Sequence, residues 1–348
     1  FAASAYRDDP CTRFKPHILD QNIYDVVDPG LVAKMHKAIT VIQFKVEGQI
    51  IKRHPEYGLN HRCLLEQVDF DKGTVEVDGK TYPMLDMKFP TIDPKDPLKL
   101  TEQEAELLQT LKMSFRHSGL LHKHIKFLYS HGSMYKCCNN NLLYHGCIPL
   151  KKDGSFDDIV FYGIPYYGKA LMDFVDQMVQ SAYFLPESNP DKGVASDFMW
   201  YLWNGAKSPV FGKDKNRSFE HYFIEDPEVM RETMNPYYQL SEEEETCDMI
   251  LKEFGLPTKG SHIINGHMPV KIKSGETPIR AGGKLFIIDG GLSKAYQERT
   301  GIAGYTLIFN SHHLALAEHK PFDPERERTP KVYIVEKMQK RITVADTD

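Results

Sequence analysis

The stretch Asn141-Leu142-Leu143-Tyr144-His145-Gly146-Cys147-Ile148-Pro149 is a short apolar run that delivers a histidine, then a glycine, then a proline. Four such residues are too few for a helix but enough for a buried strand. Open α/β sheets bind their ligands at the carboxyl ends of strands, which is where His145 would stand. Gly146 lets the backbone turn sharply there, and imidazole suits zinc, iron or manganese. The pattern returns in His262-Ile263-Ile264-Asn265-Gly266-His267-Met268-Pro269-Val270, again strand, glycine, histidine, proline. A third run, Gly282-Gly283-Lys284-Leu285-Phe286-Ile287-Ile288-Asp289-Gly290-Gly291, enters an acid-bearing turn.

Outward from these runs, the texture past residue 130 is that of an α/β sheet domain. Strands are expected at Tyr135–Cys138, Asn141–Tyr144, Ile159–Tyr162, Ser261–Ile264, Leu285–Ile288 and Tyr305–Phe309, with helices at Lys169–Phe184 and Ser241–Phe254. Upstream, residues 1–27 read as an extended lead-in. Asp28-Pro29 is a helix start, and Leu31, Met35, Ile39, Ile42, Val46 and Ile50 form one apolar stripe ahead of His54-Pro55. Asp78-Gly79, between Thr74–Val77 and Lys80–Tyr82, predicts a type I′ hairpin. Pro90, Pro94 and Pro97 make a stiff connector. Thr101 and Glu104 spell a capping box, opening a helix to about Ser118 that a second helix, Leu120–Tyr129, follows. The expected division is a lead-in, helical insertion and hairpin over 1–129, and a sheet domain over 130–348.

Composition narrows the function. The 348 residues carry 43 basic and 48 acidic side chains, a formal charge of −5 that disfavours nucleic-acid binding. Hydrophobic residues at 41% can fill a core, and no apolar run approaches a membrane span. Six cysteines without a C-x-x-C pair point to free thiols in the cytoplasm rather than a zinc knuckle. Gly163-Ile164-Pro165-Tyr166-Tyr167-Gly168-Lys169-Ala170 nearly spells a nucleotide phosphate loop. Ala170 lacks the hydroxyl such a loop gives to magnesium, and Pro165 lacks a backbone donor, so a structural strand-to-helix turn is expected.

"LLYHGCIPL" and "INGHMPV" resemble the two late histidine elements of metallophosphoesterases. The wider text, "DFDKGTVEVDGKTYPMLDMKFPTIDPKDPLKLT", "FLYSHGSMY", "WYLWNGAKSPVFGKD", "FEHYFIED" and "NPYY", is similar to the class III fructose-1,6-bisphosphatases of Firmicutes over essentially the whole chain. The resemblance implies an α/β fold of metallophosphoesterase type, a double β-sheet sandwich flanked by helices, with 28–128 as a helical insertion. It implies a dinuclear Mn2+ or Mg2+ centre whose ions, ~3.5–4 Å apart, clamp phosphate and activate water. His145 and His267 take the places of the two late ligands, and the Pro that follows favours His145 over His131 in "YSHGSM". Lys207, Lys213, Lys271 and Lys294 are the expected phosphate-facing residues, although Lys is only a point charge where Arg would be bidentate.

The chain departs from the family pattern in one respect. It contains no Asp-x-His, no Gly-Asp-x-x-Asp-Arg and no Gly-Asn-His-Asp. It therefore looks like the carboxyl-terminal part of such an enzyme, its metal ligands completed by an amino-terminal part, and no residue of its own is assigned as catalytic. The implied activity is hydrolysis of fructose 1,6-bisphosphate to fructose 6-phosphate and phosphate in gluconeogenesis, by a cytoplasmic homo-oligomer, with the isolated chain inactive. Competing expectations are a protein or dinucleotide phosphatase of the same superfamily, and a non-catalytic assembly segment.

Overall fold

The computed structural model describes residues 1–16, 28–291, 294–320, 331–337 and 343–347. Two compact units divide them: Phe1–His131 with Lys215–Glu232, and Gly132–Asp214 with Thr233–Asp348. The first unit thus includes a segment that sequence reading assigned wholly to the second.

In the first unit the Asp28 carboxylate caps helix Pro29–Arg53, accepting from Gly30 N at 2.9 Å, and His54 ends the helix. Its buried face follows the expected stripe only in the second half, where Ile42 and Ile50 are buried and Val46 is half-buried. Leu31, Met35 and Ile39 are exposed, whereas Lys37 and Lys45 are wholly buried. Lys37 Nζ lies 2.5 Å from Asp9 and 2.7 Å from Asp86, and Lys45 Nζ lies 2.7 Å from Glu104 and 2.6 Å from the Thr91 carbonyl. Distant acids made lysine a core residue, which apolar periodicity cannot register. Nor are residues 1–16 a mere lead-in. They form a short helix, Ala2–Ala5, and a turn, Thr12–Phe14, and they bury Tyr6 and Phe14. Residues 17–27 lie outside the described residues.

Strands β1 (Val68–Asp69), β2 (Thr74–Val77) and β3 (Lys80–Pro83) form an antiparallel sheet, its β2–β3 turn made by Asp78 at φ 50° and Gly79 at φ 77° as a type I′ hairpin requires. The capping box at Thr101 and Glu104 is present, and it opens helix Glu102–His117, followed by Gly119–His131. Helix Ser218–Phe223 returns to this unit, where Phe219 and Phe223 pack on Phe44 with ring centroids 5.1 and 6.2 Å away.

The second unit is built on a five-stranded mixed sheet. Its strands are β4 (Tyr135–Cys138) and β5 (Asn141–Tyr144), then, after the separate hairpin β6 (Asp158–Phe161) and β7 (Ile164–Tyr167), β8 (His262–Asn265), β9 (Ile279–Arg280) and β10 (Leu285–Ile287). The order is β4-β5-β8-β10-β9, with β5, β8 and β10 parallel and the two edges antiparallel. Alternation along the strands sends Leu142, Ile263 and Leu285 to one core, shared with Met172 of helix Gly168–Phe184 and Ile250 and Leu251 of helix Glu244–Glu253. Phe286 faces the other way, into a core with Tyr305, Leu314 and Leu316 from a three-stranded antiparallel sheet. That sheet comprises β11 (Gly304–Phe309), β12 (His313–His319) and β13 (Lys331–Lys337), the last two of which the sequence reading left out. The class is α/β, as expected.

The near-phosphate-loop contains the expected strand-to-helix turn, preceded by a hairpin that was not expected. Tyr162 at φ 49° and Gly163 at φ 80° turn the β6–β7 hairpin, so Ile164–Tyr167 is itself a strand. Gly168 opens the helix at φ 50°, close against Glu253, and Lys169 pairs with Asp173 at 2.7 Å. The glycines serve two successive turns, and the lysine is tied to its own helix.

Candidate metal centre

Strands β5 and β8 lie side by side and parallel, so the residues that follow them emerge at the same edge of the sheet. His145 follows β5 and His267 follows β8 by two residues. Their rings meet at 85° with centroids 5.3 Å apart, and His267 Nδ1 stands 3.4 Å from His145 Nε2. The approach depends on two glycines. A Cβ at Gly146 would overlap the Pro209 carbonyl, which accepts from Cys147 N at 2.7 Å, and a Cβ at Gly266 would stand 3.1 Å from His145 Nδ1. His267 itself occupies left-handed backbone at φ 63°, a strained state that clusters at functional sites.

The electrostatics favour a neutral, ligating imidazole. Burial pushes the His267 pKa down, the neighbouring His145 and Lys213 push the same way, and the Phe211 carbonyl and Asp289 only partly oppose them. Two nitrogens bound to one ion at ~2.0–2.1 Å and a tetrahedral angle stand ~3.4 Å apart, which fits the observed separation. Among the described residues, no group of three or more His, Cys, Asp or Glu side chains is placed to hold a metal. The pair fits as part of a donor set, not as a whole one. Cys147, two residues past His145, is no nucleophile: complete burial pushes its thiol up to about 12.

The other expected residues are scattered. Of the four lysines, Lys213 acts on the His267 ring. Lys207 is committed to the Asp158 carbonyl at 2.7 Å and to Asp157 at 3.2 Å. Lys271 is exposed, beside Glu276, and the Lys294 side chain lies outside the described residues although its backbone opens helix Lys294–Thr300. His131 ends helix Gly119–His131, its Nδ1 3.0 Å from the Phe127 carbonyl. Sequence reading gave no role to Asn265, although it stood inside the quoted motif, and from the loop at 208–213 it named only Lys213, not the Pro209 and Phe211 carbonyls that bind Cys147 N and His267. Their signal is a set of backbone hydrogen bonds, which residue types do not display.

Paired imidazoles at the carboxyl ends of parallel strands define an α/β protein with a candidate site at its strand ends. The family profile described as "Firmicute fructose-1,6-bisphosphatase" matches residues 1–348, and the chain belongs to that family. It is similar to proteins named "Fructose-1,6-bisphosphatase class 3" from Finegoldia magna (49% identical), Clostridium acetobutylicum (47%) and Alkaliphilus metalliredigens (49%). Each alignment covers 100% of this chain but only 53–54% of the relative, so the chain spans about half the length of the curated relatives it matches. No solved structure matches it. Among the described residues, no helix is long and apolar enough to cross a membrane.

Proposed function

We propose that this chain supplies part of the metal centre of an enzyme that hydrolyses fructose 1,6-bisphosphate to fructose 6-phosphate and phosphate. The observation that carries the reading is the 3.4 Å approach of His145 and His267, joined to the family membership. In this reading both imidazoles hold a divalent ion, Mn2+ or Mg2+, within a dinuclear site whose remaining donors come from an amino-terminal part. The ion supplies Lewis-acid polarisation of a phosphoryl oxygen and lowers the pKa of bound water. His267 contributes a neutral nitrogen because burial disfavours its protonated form. Lys213, which presses on that ring electrostatically, adds positive potential where a phosphate would sit.

The test uses a protein as long as the relatives and containing these residues. His145→Ala and His267→Ala are each expected to lower Mn2+-dependent phosphate release from fructose 1,6-bisphosphate by at least about 100-fold. Loss of a ligand should exceed the 10–100-fold typical of outer-shell changes. Circular dichroism would check that the fold survives. Full turnover in both folded variants would overturn the assignment.

A further inference from the structure

We propose that Asn265 is a positioning residue for His145: its carboxamide clips the backbone on either side of that histidine to the end of β8. The inference rests on the metal reading above for its purpose, but not for its geometry. Asn265 is buried, 3% exposed, and Nδ2 lies 2.7 Å from the Gly146 carbonyl, 3.3 Å from that of His145 and 3.4 Å from that of Tyr144. Three carbonyl oxygens converge on one amide, so the donor end must face them. The backbone of Asn265 binds on the other side, its carbonyl accepting from Ile288 N at 3.0 Å, while Gly266 N donates to the His145 carbonyl at 3.1 Å. One residue thereby ties the ends of β5, β8 and β10 together, two positions before His267. Both imidazoles take their bearing from it.

A buried asparagine that merely stabilises the sheet would have the same low exposure. Asn141 provides that comparison. It is 5% exposed, sits at the opposite end of β5, and donates to the Asn139 carbonyl at 3.0 Å. Asn265→Asp would turn a carboxylate toward the carbonyl oxygens, and Asn265→Ser, a milder change, would shorten the clip.

The experiment measures Mn2+ binding by isothermal titration to a protein as long as the relatives and containing these residues, alongside the ring 15N resonances of labelled histidines without metal. Asn265→Ser and Asn265→Asp are expected to weaken Mn2+ about 10–100-fold, and Asn141→Ser no more than about twofold. In the metal-free chain the His145 ring signals should move in both Asn265 variants while those of His313, on β12, stay in place. Should Asn265→Asp not fold, the serine variant decides. Mn2+ affinity within about twofold of the parent in the Asn265 variants, or an equal loss in Asn141→Ser, would overturn the proposal. If the parent protein of that full length binds no Mn2+, the metal reading fails on its own, and unmoved His145 signals would then overturn the positioning role separately.

Discussion

Asp78 shows how much one residue says and withholds. Its place before Gly79 announced the hairpin, and its φ of 50° is the conformation that turn needs. Nothing local announced its partners. Arg217 Nη2 lies 2.6 Å and Lys215 Nζ 3.0 Å from its carboxylate, from a segment 137–139 residues away. Burial pushes this carboxyl up, but the two cations outweigh it and bring its pKa down to about 2 from the ordinary 3.8. A carboxyl lowered on folding adds stability that is full above the ordinary value and is lost as pH falls toward the folded one. Stability should therefore decline between about pH 4 and pH 2 in part through Asp78. Asn tolerates the same left-handed backbone, so Asp78→Asn should flatten that decline without disturbing the turn. Urea midpoints across this range measure it, and an unchanged slope would count against the pairing.

At the scale of elements, starts and stops were legible because caps act within three or four residues. Asp28, Thr101 with Glu104, and Asp78-Gly79 each fixed a boundary found in the structure. Which face of a helix is buried was less legible. Helix Pro29–Arg53 hides Lys45, whose side chain and that of its partner Glu104 are both fully buried. Removing one member of such a pair leaves a bare charge in the core. Lys45→Met is expected to destabilise the fold by about 3–5 kcal/mol, and adding Glu104→Gln should recover part of that. Chemical denaturation of the two variants checks it. A single variant as stable as the parent would show that the pair is not an obligatory core element.

Across the whole molecule, the strand ends were the readable part of the site. His145 and His267 share a motif because they share a topological position, and parallel pairing of β5 with β8 brings them together. What surrounds them was hidden, since Pro209 and Phe211 act through their backbone carbonyls and the Asn265 carboxamide binds backbone carbonyls. Among the described residues no third His, Cys, Asp or Glu joins these two imidazoles in a group that could hold a metal. Residues 1–348 on their own are therefore expected to release no phosphate from fructose 1,6-bisphosphate above the background of Mn2+ alone. Joined to the amino-terminal part, as one chain or as two, they should do so. Robust turnover by the homogeneous chain would force a search for another catalytic centre.

The return of Lys215–Glu232 to the first unit also sets a timetable for synthesis. Arg62 grips the Glu220 carboxylate at 2.6 and 2.9 Å, and Phe223 meets Phe89 with centroids 5.3 Å apart. A nascent chain that has emerged only to His131 holds the socket without the plug. Roughly a hundred more residues must leave the ribosome first, a wait of about 5–20 s at 5–20 residues per second. For that interval the aromatic cluster of the first unit lacks its last rings, and it is then that chaperones would find it open.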